Sequence, residues 1–148
     1  MDYQIAEEKI VEILHKTEEK DVLQKTIKFL HENFEKYNWI GIYIVKDDNL
    51  ILGPWIGPNA TEHTKIPIGR GVCGAAAKTG KTEIVDDVKS DNRYLSCFIT
   101  TKSEIVVPIY KDEKVIGEID IDSDEKASFT EKDKEFLEKI ADMLKEHI

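Results

Sequence analysis

The run Glu104-Ile105-Val106-Val107-Pro108-Ile109-Tyr110, then Lys111-Asp112-Glu113, then Lys114-Val115-Ile116-Gly117-Glu118-Ile119-Asp120-Ile121-Asp122, decides how the chain is read. Both arms are rich in Val and Ile and flank a polar tripeptide, the pattern of two strands joined by a tight turn. Side chains alternate across a strand. Val115, Gly117, Ile119 and Ile121 therefore share one face, and Glu118, Asp120 and Asp122 share the other. A solvent-facing row of acids is one reading of that second face. Asp is nevertheless disfavoured in strands, and alternate acids on one face repel. A cationic ligand group, such as an amino acid's ammonium, relieves the repulsion. Glu104 joins the acid face if the hairpin loop is odd in length and leaves it if the loop is even.

Working outward, Trp39 to Val45 is a second β-rich run. Ile40, Ile42 and Ile44 form one face, which is expected to meet helices; Trp39, Gly41 and Tyr43 form the other. Two large rings with a glycine gap between them suit a ligand wall, although a packed core on both faces is the commoner meaning of such a pattern. Asp47-Asp48-Asn49 reads as a turn and Leu50 to Trp55 as a strand. Residues 56–68 read as a loop with a short strand around Ile66. Gly69-Arg70-Gly71 opens a short helix, Val72 to Lys78, stopped at Gly80. Glu83 to Val85 is a short strand, and residues 86–102 are loop-like. Residues 5–18 carry Ala6, Ile10, Ile13 and Leu14 at helical spacing. A second helix starts near Asp21, with Gln24 completing a capping-box pattern. A last helix is capped by Thr130 with Asp133 three residues on, and packs through Phe136, Ile140, Leu144 and Ile148. The order predicts an α+β fold: an antiparallel sheet with the N- and C-terminal helices on one face and the central helix-and-loop segment over the other.

At 148 residues the chain is expected to form one domain, residues 1–148, with 41% hydrophobic and 34% charged residues suiting a globular fold. Lys and Arg number 21 against 30 Asp and Glu, a net charge of −9. No basic stripe is present, so nucleic acid is not an expected partner. No apolar run approaches the ~18 to 20 residues that span a bilayer. The polar start Met1-Asp2-Tyr3-Gln4 is unlike a signal peptide, so a cytoplasmic location without membrane contact is expected.

Two cysteines make a structural disulfide framework improbable. Cys73 falls in the first turn of the central helix, where the helix dipole and Arg70 favour a thiolate. The alternative is a small buried hydrophobe beside Ala75, Ala76 and Ala77. Cys97 lies in the 86–102 loop, and loops tend to carry function. The four histidines are scattered, with only His63 in a loop near the pocket wall, and no Cys/His cluster has metal-ligand spacing. No bound metal or cofactor is expected.

Five segments occur in order: Asn38-Trp39-Ile40-Gly41-Ile42-Tyr43; Leu52-Gly53-Pro54; Ile66-Pro67-Ile68-Gly69-Arg70-Gly71-Val72-Cys73-Gly74; Ser103-Glu104-Ile105-Val106-Val107-Pro108-Ile109; and Gly117-Glu118-Ile119-Asp120-Ile121-Asp122-Ser123. Together they resemble the free methionine-R-sulfoxide reductases, stand-alone GAF domains, over essentially the whole chain. The resemblance implies a GAF-like sheet and reduction of free methionine (R)-sulfoxide. It implies Cys97 as the catalytic thiol, Cys73 as resolving cysteine, Trp39 and Tyr43 as aromatic pocket residues, and Glu104, Asp120 and Asp122 as substrate-holding acids. It further implies the register that puts Glu104 on the acid face, with Glu104, then Asp120, as candidate proton donor. A thioredoxin-type dithiol is the implied reductant and a homodimer the implied assembly. One position departs: His63 stands where many members carry a third cysteine, leaving Cys73 or an external thiol to resolve. A non-catalytic GAF binding module or a thiol redox sensor is the alternative.

Overall fold

The computed structural model describes residues 1–95, 98 and 100–148. The helices are α1 (Tyr3–Lys16), α2 (Val22–Asn33), α3 (Gly71–Thr79) and α4 (Glu131–Leu144). The strands are β1 (Trp39–Lys46), β2 (Asn49–Ile56), β3 (Lys65–Pro67), β4 (Glu83–Val85), β5 (Ser103–Lys111) and β6 (Lys114–Ser123). They form one six-stranded antiparallel sheet in the order β3-β2-β1-β6-β5-β4. This is the α+β architecture expected from the order of apolar periodicities.

Strand alternation builds a core on each face. Ile40 and Ile42 of β1, Ile105, Val107 and Ile109 of β5, and Ile119 and Ile121 of β6 pack against α1, α2 and α4. Those helices contribute Ala6, Ile10, Val22, Ile27, Leu30, Phe136, Leu137, Ile140 and Leu144. At ~1.5–3 kcal/mol per fully buried side chain, this layer is the main source of stability. The opposite face carries a smaller cluster in which Tyr43, Leu50, Ile66 and Val106 meet Val72, Cys73, Ala76 and Ala77 of α3.

Asp133 ties the helical layer together. It sits in the first turn of α4, buried, and completes a capping box with Thr130. It also accepts hydrogen bonds from Tyr37 Oη at 2.6 Å and Tyr3 Oη at 3.0 Å. Burial first, then the Asp133 charge and hydrogen bond, push the Tyr3 hydroxyl up to about 12. The capping box expected at Asp21 does not form. A 3-10 turn, Glu19–Asp21, already leads into α2, so Asp21 has helical backbone angles and its side chain makes no cap. Gln24 instead donates to the Trp55 carbonyl.

The β5–β6 hairpin shows how Glu104 acquires its face. Lys111 pairs with Lys114, so the loop is the two residues Asp112-Glu113. Both have positive φ, the geometry of a type I′ turn. That even-length loop alone would oppose Glu104 to Ile121. A register shift intervenes: Tyr110 pairs with Val115 but Ile109 pairs with Gly117, leaving Ile116 as the extra residue. Glu104 consequently opposes Asp122. The bulge also corrects the face of Val115, which packs against the α3-side cluster while Ile116 packs against the helical core. Among the described residues no helix is long and apolar enough to cross a membrane.

Candidate functional site

Three neighbouring strands present their non-isoleucine faces to α3. In β1 and β6, Trp39 opposes Asp122, Gly41 opposes Asp120, and Tyr43 opposes Glu118. In β5, Glu104 opposes Asp122 and Val106 opposes Asp120. The acids are not a solvent-facing row. Glu104 is 4% exposed, Asp120 and Asp122 2% each, and Glu118 0%. The structure thus gathers Glu104, Asp120, Asp122, Trp39 and Tyr43 under α3 and sets the Cys73 thiol against them.

The two rings are fixed by the loop between β2 and β3. Tyr43 Oη donates to the His63 carbonyl at 2.7 Å, and Trp39 Nε1 donates to the Asn59 carbonyl at 3.2 Å. The gap expected at Gly41 is filled by Trp39 itself. A Cβ at position 41 would lie 2.4 Å from the indole, and one at Gly57 would also lie 2.4 Å from it. The two glycines let the ring lie flat on the sheet, where it stacks on Trp55 with centroids 6.3 Å apart. Phe98 leans against the same indole at 5.8 Å.

The carboxyl groups share a low-dielectric space. Glu104 is hydrogen bonded to both Asp120 and Asp122, and Thr101 also reaches Asp122. A hydrogen bond between two carboxyls needs a proton on one of them. Burial, reinforced by the Asp120 charge, holds both Glu118 and Asp122 well above the ordinary carboxyl range. Burial likewise raises Asp120. Among the described residues, none of the groups acting on these three acids is a cation. Both Glu118 oxygens, one oxygen of Asp120 and one of Asp122 are buried without a hydrogen bond of ordinary geometry. The nearby Cys73 thiol, a weak donor, eases Glu118 and Asp120 only slightly.

Cys73 departs from one expectation. It does lie in the first turn of α3, which starts at Gly71. It is nonetheless a buried thiol, not a stabilised thiolate. Burial pushes it well above its ordinary value, and the charges of Asp120, Glu118, Glu104 and Asp122 push in the same direction. A helix terminus offers ~0.3–1 kcal/mol, which buried like charges exceed, and Arg70 points into solvent. Cys97 lies outside the described residues, and so does any pairing of it with Cys73.

Cys73, Glu104, Asp120, Tyr43, Ile66, Val72 and Leu95 line a cavity of about 10 Å³, the size of one water. Wider clefts open elsewhere, such as one of about 440 Å³ lined by Gly80, Tyr110 and Glu138, but none of the four buried acids lines it. Glu118 was legible in the sequence as part of the acid row but had no assigned role; its burial adds it to the site. Thr101 carried no sequence signal.

A family model for the GAF domain matches residues 18–148. The free methionine-R-sulfoxide reductase of Escherichia coli (strain K12) is 36% identical over 122 residues, covering 82% of this chain and 73% of that one. A type II free methionine-R-sulfoxide reductase from Thermoplasma acidophilum superposes with a TM-score of 0.84 at 39% identity, covering 87% of this chain and 91% of that chain. The Neisseria meningitidis enzyme of the same name, solved in complex with its substrate, gives 0.88 at 36% identity, covering 98% of this chain and 87% of that chain. With its buried acids under α3 and an aromatic wall beside them, this chain belongs to the GAF domain family and, within it, to the free methionine-R-sulfoxide reductases.

Proposed function

We propose that the protein reduces free L-methionine (R)-S-oxide to methionine by a thiol mechanism. The observation that supports this most directly is the buried group of Glu104, Glu118, Asp120 and Asp122 with no cation acting on the last three among the described residues. A free amino acid brings the missing cation as its ammonium, whereas a peptide-bound residue does not. Relatives named for this reaction, one of them solved with its substrate, supply the reaction class.

In this reading the ammonium is held by Asp120, Asp122 and Glu118, and the methyl end rests against Trp39 and Tyr43. Cys97 attacks the sulfoxide sulfur while Glu104, sharing a proton with its carboxyl neighbours, protonates the departing oxygen. The S–O bond breaks as the oxygen passes as hydroxyl to Cys97 Sγ, the transient bond between the two sulfurs breaks, methionine leaves, and Cys97 becomes a sulfenic acid. Cys73 condenses with it, forming a disulfide and releasing water. A thioredoxin-type dithiol then reduces the disulfide. Cys73 suits a late step: a protonated thiol does not compete with Cys97 for the substrate. No bound cofactor takes part. A cytoplasmic homodimer is the assembly proposed; Ile5 and Val11, 50% and 39% exposed on α1, support pairing through that helix.

The test is NADPH consumption with thioredoxin and thioredoxin reductase, comparing free R- and S-methionine sulfoxide. Expected is R-selective turnover that disappears in Cys97→Ser and falls ~10²–10⁴-fold in Glu104→Gln. Absence of turnover both with thioredoxin and with dithiothreitol would make the protein a binding module.

A further inference from the structure

The same pocket carries a sulfur-and-oxygen donor set whose chemistry suits more than an ammonium. Cys73 Sγ and one carboxylate oxygen each from Glu104 and Asp120 all lie within 4.8 Å of one another, and all three residues are buried. In a tetrahedral site with metal–sulfur near 2.3 Å and metal–oxygen near 2.0 Å, donors stand ~3.3–3.6 Å apart. Closing to that spacing from within 4.8 Å takes side-chain shifts of at most about 1.5 Å. The three come from α3, β5 and β6, so the sheet and its covering helix hold them together. The cavity they line is about 10 Å³, a volume that suits a bare ion with at most about one water. A second observation points the same way. Asp120, which lines the cavity, has one buried oxygen without a hydrogen bond of ordinary geometry, and Glu118, fully buried beside Cys73 and Asp120, has two.

We propose that Cys73, Glu104 and Asp120 form a binding site for a thiophilic divalent cation of the Zn²⁺ class, with Glu118 next to the open fourth position. Sulfur in the donor set selects Zn²⁺ over Mg²⁺ and Ca²⁺, which take oxygen ligands. Binding replaces the Cys73 S–H bond with a metal–sulfur bond and releases that proton. It also releases the proton shared between Glu104 and Asp120. Affinity therefore rises with pH. The bound ion occupies acids that a cationic ligand would use and ties up the Cys73 thiol, so it excludes both.

The probe is Zn²⁺ alone, titrated into the reduced full chain against a chromophoric chelator, followed by Co²⁺ substitution to read thiolate-to-metal charge transfer. One equivalent is expected, with tighter binding at pH 8 than at pH 6. The charge-transfer band should vanish in Cys73→Ser and persist in Cys97→Ser and His63→Ala. Asp120→Asn, which keeps the thiol, should weaken binding about 100-fold. Near-UV circular dichroism checks that each variant is folded. Three results would overturn the site: no stoichiometric binding by the wild type, a band lost in Cys97→Ser but kept in Cys73→Ser, or Asp120→Asn binding as the wild type does. None of these readouts depends on turnover, so the site stands or falls apart from the reductase reading.

Discussion

The two faces of one sheet are made by alternate residues of the same strands, yet they behave oppositely. On one face Ile119 and Ile121 meet Ile40, Ile42 and Ile105 beneath α1, α2 and α4. On the other Glu118, Asp120 and Asp122 meet Trp39, Tyr43, Glu104 and Cys73. The first face is complete in itself. The second has buried oxygens without a hydrogen bond of ordinary geometry. Burying a carboxyl without a partner costs free energy that the isoleucine face must offset. The acid face thus lowers stability, and the helical layer offsets it.

The harshest way to break this contrast is to delete Val107 from the middle of β5. With the hairpin kept, the residues before it slip by one place, which pairs Glu104 with Ile121 and turns Ile105 to the acid face. Circular dichroism on heating should then show no cooperative unfolding transition. A native-like transition would mean that strand register does not set the faces. A milder cut, Ile121→Ala, should cost ~2–4 kcal/mol in urea unfolding, as expected for a large-to-small change in a packed core. A cost below ~1 kcal/mol would show that the helical layer is not the stable half.

The acid face should respond with the opposite sign. Glu118→Met removes a buried carboxyl and fills its space, so it should stabilise the protein by ~1–3 kcal/mol at pH 8. Burial raises the folded-state pKa of Glu118, so between the unfolded value near ~4.3 and that raised value only the folded state keeps the proton. Wild-type stability therefore falls as pH rises through this interval, and the loss is complete above the folded pKa. The gain from Glu118→Met should be largest at pH 8 and shrink toward pH 5. A gain that is absent, or that grows on acidification, would remove the argument for a strained acid face. The smallest effect concerns the turn that sets the register. Glu113 adopts φ 65°, so Glu113→Gly should add ~0.5–1 kcal/mol by relieving a left-handed non-glycine residue. Unchanged thermal stability would show that the turn carries no strain.

Much of this contrast was legible in residue order. Strand alternation placed Glu118, Asp120 and Asp122 together and kept Ile119 and Ile121 apart from them, because the side-chain period is fixed by backbone geometry. The Thr130–Asp133 capping box was readable for a similar reason, since its partners are three residues apart. Expectations that required distant partners fared less well. Asp21 and Gln24 matched a local pattern, but a preceding 3-10 turn set the backbone first. For Cys73 the helix position left a thiolate and a buried thiol both open, and burial together with four carboxyl groups from two strands decided for the thiol.

By itself the sequence determined the order of elements, the two-faced character of β1 and β6, and a family resemblance that named the acids and rings. All of these depend on neighbours within a few residues or on motifs read directly from the chain. Only the tertiary structure decided that the acids are buried, that Trp39 fills the space over Gly41, and that Ile116 bulges to bring Glu104 round. It also brought a thiol from α3 to within a metal's reach of carboxylates on β5 and β6. The physical reason is that burial and electrostatic potential sum over everything nearby in space, and the groups that matter most here lie 16 to 47 residues apart in the chain.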